Sequence, residues 1–199
     1  MRIRCQKLSY NKLRELAEEF LDRHHPDRQI PVPIEDIVDE QLRMDIIPVR
    51  QLQKRHGIEG GLGADFMSIY VDEWVQDSRP GRYHFTLAHE LAHRELHMGI
   101  LSQVVPEGLD GWIHIGDQLD DDTVDWMEWQ AYSWAGLVLV PSPQLAHAFA
   151  TELQRAKDVG FYADGNPDLA KEYISEALAK PFAVSPEVIY KRIGYDKLI

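Results

Sequence analysis

The chain of 199 residues carries 21 Lys and Arg against 33 Asp and Glu, a formal net charge of −12. At 44% hydrophobic and 27% charged it has the composition of a globular protein with a core, which excludes a disordered chain, and its acidity opposes a phosphate backbone as primary partner. No apolar run is long enough to cross a bilayer, "MRIRCQKLSY" opens no export signal, and the single cysteine, Cys5, neither closes a disulfide nor builds a cysteine-rich metal knuckle. The protein is therefore expected in the cytoplasm, away from membranes, and any metal must be held by histidine and carboxylate.

Leu13, Leu16, Ala17, Phe20 and Leu21 recur at helical spacing behind Ser9, which is placed to cap, so an amphipathic helix starts at Tyr10. Pro26, Pro31 and Pro33 break that pattern, a second helix is expected over 34–42, and "MDIIPV" reads as a short strand. "GIEGGLG" reads as a glycine-rich turn; it lacks phosphate-loop spacing and no Lys-Ser or Lys-Thr pair follows, which argues against a nucleotide site. "ADFMSIYVD" alternates as a half-buried strand does, giving a sheet of two or three strands.

A helix over 83–98 follows and contains "TLAHELAHREL". The stretch from Glu107 to Glu128 holds eight acidic residues and no Lys or Arg, so most of it is expected to be a solvated loop. A third long helix is expected over 123–139, capped by Asp122 or Thr123 and ended by Pro141. Ser142-Pro143, Asn166-Pro167 and Ser185-Pro186 each supply an N-cap followed by proline at the first helical position, with Gly160 and Gly194 as stops. The fold class is thus α+β, mostly helical: a small antiparallel or mixed sheet packed on the histidine helix and a glutamate-bearing helix. Residues 1–141 form the core, and 142–199 form a C-terminal helical extension packed on it as one structural unit.

His89 and His93, four apart on a helix, present two imidazoles to one point, half of a tetrahedral zinc site. Glu90 is displaced by about a quarter turn, where it reaches water on a metal rather than the metal, the geometry of a general base. A histidine-rich helix can also collect such a pattern by chance. Against that, Leu87, Ala88, Leu91 and Ala92 flank the histidines, and an unpaired polar group inside such a helix costs about 1–3 kcal/mol.

His97 lies on the same face, but one turn rises about 5.4 Å, so three stacked imidazoles do not converge on one ion; His97 is expected beside the site. The third ligand must come from elsewhere. Glu128, set in "DWMEWQAYSWAGLVLVP" among apolar residues, is either that ligand or a solvent-facing carboxylate near a helix N-terminus. Beside His-Glu-Leu-Ala-His, ligation is favoured.

The order of "PVPIEDIVDEQLRMDIIPV", "MSIYVD", "GRYHFTLAHELAHREL" and "EWQAYSWAGLVLVP" resembles the ImmA/IrrE family of zinc-dependent metallopeptidases. Glu128, Ala131, Trp134-Ala135, Leu139 and Pro141 fit its second motif, whereas Gln130 stands for a second acid and Tyr132 for an asparagine. The resemblance implies a zincin-like core with Zn2+ on His89, His93 and Glu128, and Glu90 as base; His97 and Tyr132 are candidates for a supporting or oxyanion role. It also implies a protein substrate, a helix-turn-helix repressor or antitoxin, which the acidic segment 107–125 would steer if the partner is basic.

Two other readings come from different classes. "ISEALAKPFAVSPEVIYKRIG" has the look of a helix-turn-helix built on Ala179, Phe182, Val184, Ile189 and Ile193, but its acids cancel its bases, and direct nucleic-acid binding is not expected. A non-catalytic metal-containing protein that only binds a partner would tolerate loss of Glu90, whereas a peptidase would not. Four tryptophans between Trp112 and Trp134 offer either a peptide groove or core packing.

Overall fold

Helix α1, Tyr10–His24, starts where Ser9 accepts a hydrogen bond from the Lys12 N–H at 3.2 Å, and it buries Leu13, Ala17, Phe20 and Leu21. The computed structural model describes residues 4–104, 119–158 and 167–199. Helix α2 spans Ile34–Asp36 and continues as a wider π turn over Ile37–Gln41 rather than as one regular helix to 42, with Ile34, Ile37 and Val38 still turned inward.

Strand β1 is Asp45–Val49, and helix α3, Leu52–His56, leads to β2, Gly60–Leu62, and β3, Ser68–Asp72. The sheet is mixed, in the order β1-β3-β2, which decides between the antiparallel and mixed alternatives of the α+β reading. β1 runs parallel to β3 with Ile47 opposite Tyr70, and β2 runs antiparallel to it with Gly61 opposite Tyr70. Pro48 is tolerated because β1 is an edge strand. Two expectations are corrected: "GIEGGLG" contains an edge strand and is not only a turn, and the strand in "ADFMSIYVD" starts at Ser68. Before it, Asp65 accepts from the backbone N–H groups of Met67 (2.9 Å) and Ser68 (3.0 Å), a local turn that displaces the ladder.

Asp72 ends the sheet by capping helix α4, Glu73–Ser78, through the N–H of Trp74 at 3.0 Å. Helix α5, Pro80–Leu101, is longer at both ends than 83–98, and at its start Pro80 is pre-set for a first helical turn. Helix α6 is Asp121–Leu139, and its cap is Asp120, which accepts from Thr123 N–H at 2.8 Å; the expected caps Asp122 and Thr123 lie inside the helix.

Helices α7, Ser142–Asp158, α8, Pro167–Ala179, and α9, Pro186–Tyr195, complete the described chain. Ser142 is the first helical residue of α7 rather than its cap, and its hydroxyl accepts from Arg192 at 3.0 Å. Gly194 lies within α9, which runs one residue further. Gly160, Asn166, Trp112 and the acidic positions 107–117 lie outside the described residues.

One hydrophobic core joins α1, the sheet, α5, α6 and the C-terminal helices, with α5 packed along α6 as its centre. Phe20 meets Trp134 edge-on at 5.0 Å, so Trp134 packs the core instead of lining a groove. Phe182, Val184, Ile189 and Ile193 all point into the same core. Among the described residues no helix is long and apolar enough to cross a membrane.

Candidate metal centre

α5 buries Leu87, Ala88, Leu91 and Ala92 completely, which leaves its histidine row only one direction to face, toward α6. His89 Nε2 lies 3.1 Å from His93 Nε2. From α6, Glu128 completes the group: its Oε2 is 3.2 Å from His89 Nε2 and its Oε1 is 3.4 Å from His93 Nε2. One ligand atom from each residue lies within 4.8 Å of the other two. Two imidazole nitrogens and a carboxylate facing one another at such distances fit a first-row divalent cation, which takes N and O donors of this kind.

The charges of the cluster are interdependent. Burial alone would raise the Glu128 carboxyl, but hydrogen bonds from His89 and His93, and their charges, hold it far below the usual carboxylate range. Burial opposes protonation of His89, yet the hydrogen bond to Glu128 and the charges of Glu90 and Glu128 raise that imidazole. Each partner favours the charged form of the other, as they would in coordinating one cation.

Glu90 is only 7% exposed and accepts a backbone hydrogen bond from Leu62 on the edge strand β2. Burial outweighs the nearby histidines and raises its pKa. Its position depends on Gly60: a Cβ there would stand 2.4 Å from Thr86 Cγ2 and 3.4 Å from Glu90 Cγ. A side chain would push the strand off the helix at the place where the carboxylate is held.

The cluster opens on a cleft of about 620 Å³, lined by His89, Glu90, His93 and Glu128 and by the apolar Phe85, Leu119, Met127 and Val188. Tyr132 stands on its wall, its ring 4.8 Å from that of Phe85 and with Lys191 Nζ 4.3 Å from its centroid. Burial raises the Tyr132 pKa, so the hydroxyl stays a hydrogen-bond donor. His97 faces away from the cleft: it is 1% exposed, with Nδ1 3.2 Å from His93 Nδ1. Burial first, then the neighbouring His93, pushes its pKa down to about 3, and the ring is neutral.

The profile of the IrrE N-terminal-like domain, a peptidase family, matches residues 56–194. The chain belongs to that family. No curated protein matches it. The matched span of this IrrE-like domain contains the edge strand β2, both site helices and all but the last residue of α9, so every residue brought to the cleft by α5 and α6 lies inside it.

Structure therefore groups His89, Glu90, His93 and Glu128 at one point, puts Tyr132 on the wall and sets His97 behind His93. Three positions in this IrrE-like domain went unremarked in sequence or were noted only as departures: Gly60, Leu62 and Gln130. Only Gln130 carried a signal, as an amide in place of an acid.

Proposed function

We propose that this protein is a zinc-dependent endopeptidase of the ImmA/IrrE type that acts in the cytoplasm on a protein partner, a helix-turn-helix repressor or antitoxin. One observation carries the reading: His89, His93 and Glu128 converge from two helices on one point while Glu90 stands beside it on the wall of a cleft, in a chain of a peptidase family.

His89, His93 and Glu128 would hold the ion. When bound, zinc polarises a peptide carbonyl and brings the pKa of its water down to about 7. Glu90 takes the proton of the attacking water and returns it to the leaving amine. A buried carboxylate with a raised pKa is a stronger base toward the attacking water than a solvated one, and it then holds the proton for return to the leaving amine. The Leu62 N–H fixes its orientation. Tyr132 is the hydroxyl on the cleft wall suited to the developing oxyanion. The apolar lining excludes water and accommodates an apolar side chain of the substrate.

Elemental analysis of purified protein gives the first test. About one zinc per chain is expected in the wild type and in Glu90→Gln, with loss in His93→Ala and Glu128→Ala. Glu90→Gln should retain the metal and lose cleavage of a panel of purified helix-turn-helix repressors by at least about 10²-fold. Full cleavage by Glu90→Gln would remove the mechanism. A wild type that binds the panel, holds zinc and cuts nothing would leave a metal-containing binding protein.

A further inference from the structure

Behind the metal cluster two buried polar atoms, His97 Nε2 and Gln130 Oε1, have no hydrogen-bond partner within bonding geometry. They belong to side chains that lie against each other, one on α5 and one on α6. Gln130 is fully buried, and both its neighbours and its chemistry are defined. Its Nε2 lies 3.0 Å from the Gln6 backbone carbonyl and 3.3 Å from Cys5 Sγ.

A carbonyl oxygen can only accept, so the NH₂ end of Gln130 must face Gln6, and Oε1 is the end left for His97. Oε1 can only accept as well, so above the ordinary imidazole range, where one ring nitrogen carries a proton, that proton of His97 falls on Nε2. His97 Nδ1 is then an acceptor, and the atom 3.2 Å away, His93 Nδ1, must be its donor. Protonated at Nδ1, His93 leaves the lone pair of Nε2 facing His89 and Glu128. The opposite set of tautomers would oppose two acceptors at Gln130 and place a proton on the ligating nitrogen. The backbone of Gln6 thus decides, through two side chains, which nitrogen of His93 carries the proton.

We propose that Gln130 and His97 are positioning residues, a hydrogen-bond chain from the segment preceding α1 that fixes the tautomer and ring plane of His93 for metal binding. The inference rests on the metal-site reading above. Outer partners of a ligating histidine typically contribute 10–100-fold to metal affinity. Glutamine is suited to the position because it donates to Gln6 and accepts from His97 at once, whereas a glutamate could only accept.

The test uses the full chain with zinc as the probe. In the apo wild type at about pH 9, well above the ordinary imidazole range, ¹⁵N-¹H correlation of the ring nitrogens should show His93 as the Nδ1–H tautomer and His97 as the Nε2–H tautomer. Chelator competition should then show Gln130→Met, close in volume and without an acceptor, binding zinc about 10-fold or more weakly. Gln130→Glu, which keeps the acceptor toward His97, should restore affinity to within about 3-fold of wild type, even where loss of the Gln6 contact lowers its melting temperature. An Nδ1–H tautomer at His97, or zinc affinity in Gln130→Met within about 2-fold of wild type, overturns the proposal. Should the wild type take up no zinc, the metal reading fails by itself, and the tautomer pair in the same apo sample still upholds or overturns the hydrogen-bond chain.

Discussion

A methyl group at position 60 has nowhere to go. It would run into the Thr86 Cγ2 methyl on α5, which would have to turn away, and would stand 3.1 Å from the Tyr70 backbone carbonyl on β3, which can yield only if the strand moves. Gly60→Ala is expected to cost about 1–3 kcal/mol in urea unfolding, the usual range for overpacking a close contact, and to shift the strand that holds Glu90. Gly99 is the internal control. It lies in the last part of α5 with no atom within 4 Å of the added carbon, so Gly99→Ala should stabilise the protein by about 0.5–1 kcal/mol through helix propensity alone. Equal effects at the two positions would contradict this account of the strand–helix contact.

Among elements, α6 contributes Glu128 and Gln130 from one helix, and its first turn is set by Asp120. Asp120→Ala should lower stability by about 1 kcal/mol, the ordinary value of an N-cap. Asp122→Ala should lower it by no more than about 0.5 kcal/mol, because that carboxylate only pairs with Lys7 in solvent. Thermal unfolding of the two variants separates them. Three successive aspartates, Asp120 to Asp122, offer any of three caps, and local sequence does not distinguish them; the choice follows from where α6 must lie to meet α5 and α1. His89, Glu90 and His93 were legible because a spacing of four converts directly into one helix face. Glu128 was legible because an acid among apolar residues needs a partner, and because the motif around it resembles a known family. The edge strand was not, since Gly60, Gly61 and Leu62 carry no alternation and owe their place to pairing with β3. The link from Gln6 through Gln130 to His97 is tertiary throughout and leaves no periodic trace.

For the whole molecule, acid stability and encounter with partners follow from where charges sit. The Asp196 side chain is 8% exposed; burial would raise its pKa, but Arg192, Arg14 and Ser142 hold it below the ordinary aspartate range. A depressed folded pKa means that the stabilisation is fully present above the unfolded value and is lost as pH falls through the folded one. Wild type should therefore lose stability as pH falls below about 4, the ordinary aspartate range, and Asp196→Asn should show a shallower loss there, having lost about 3–5 kcal/mol already at pH 7. Urea unfolding at successive pH values measures both; parallel curves would exclude Asp196 as the group. At −12, the protein should also associate with a basic helix-turn-helix repressor more slowly as salt rises from about 50 to 500 mM, read by stopped-flow, and a flat response would exclude electrostatic steering.

Arg192 is 2% exposed and donates to the carbonyls of Gly136 and Val140, the end of the helix that bears Glu128. Gly136 lacks a side chain where the Arg192 stem passes, a Cβ there falling 3.4 Å from Arg192 Cδ. During synthesis on the ribosome, the histidines and Glu128 emerge long before this arginine does. A nascent chain halted before position 192 holds His89, His93 and Glu128, yet the carbonyls of Gly136 and Val140 lack their arginine. The helix that carries Glu128 therefore gains the arginine at its end only after both histidines and Glu128 have been made.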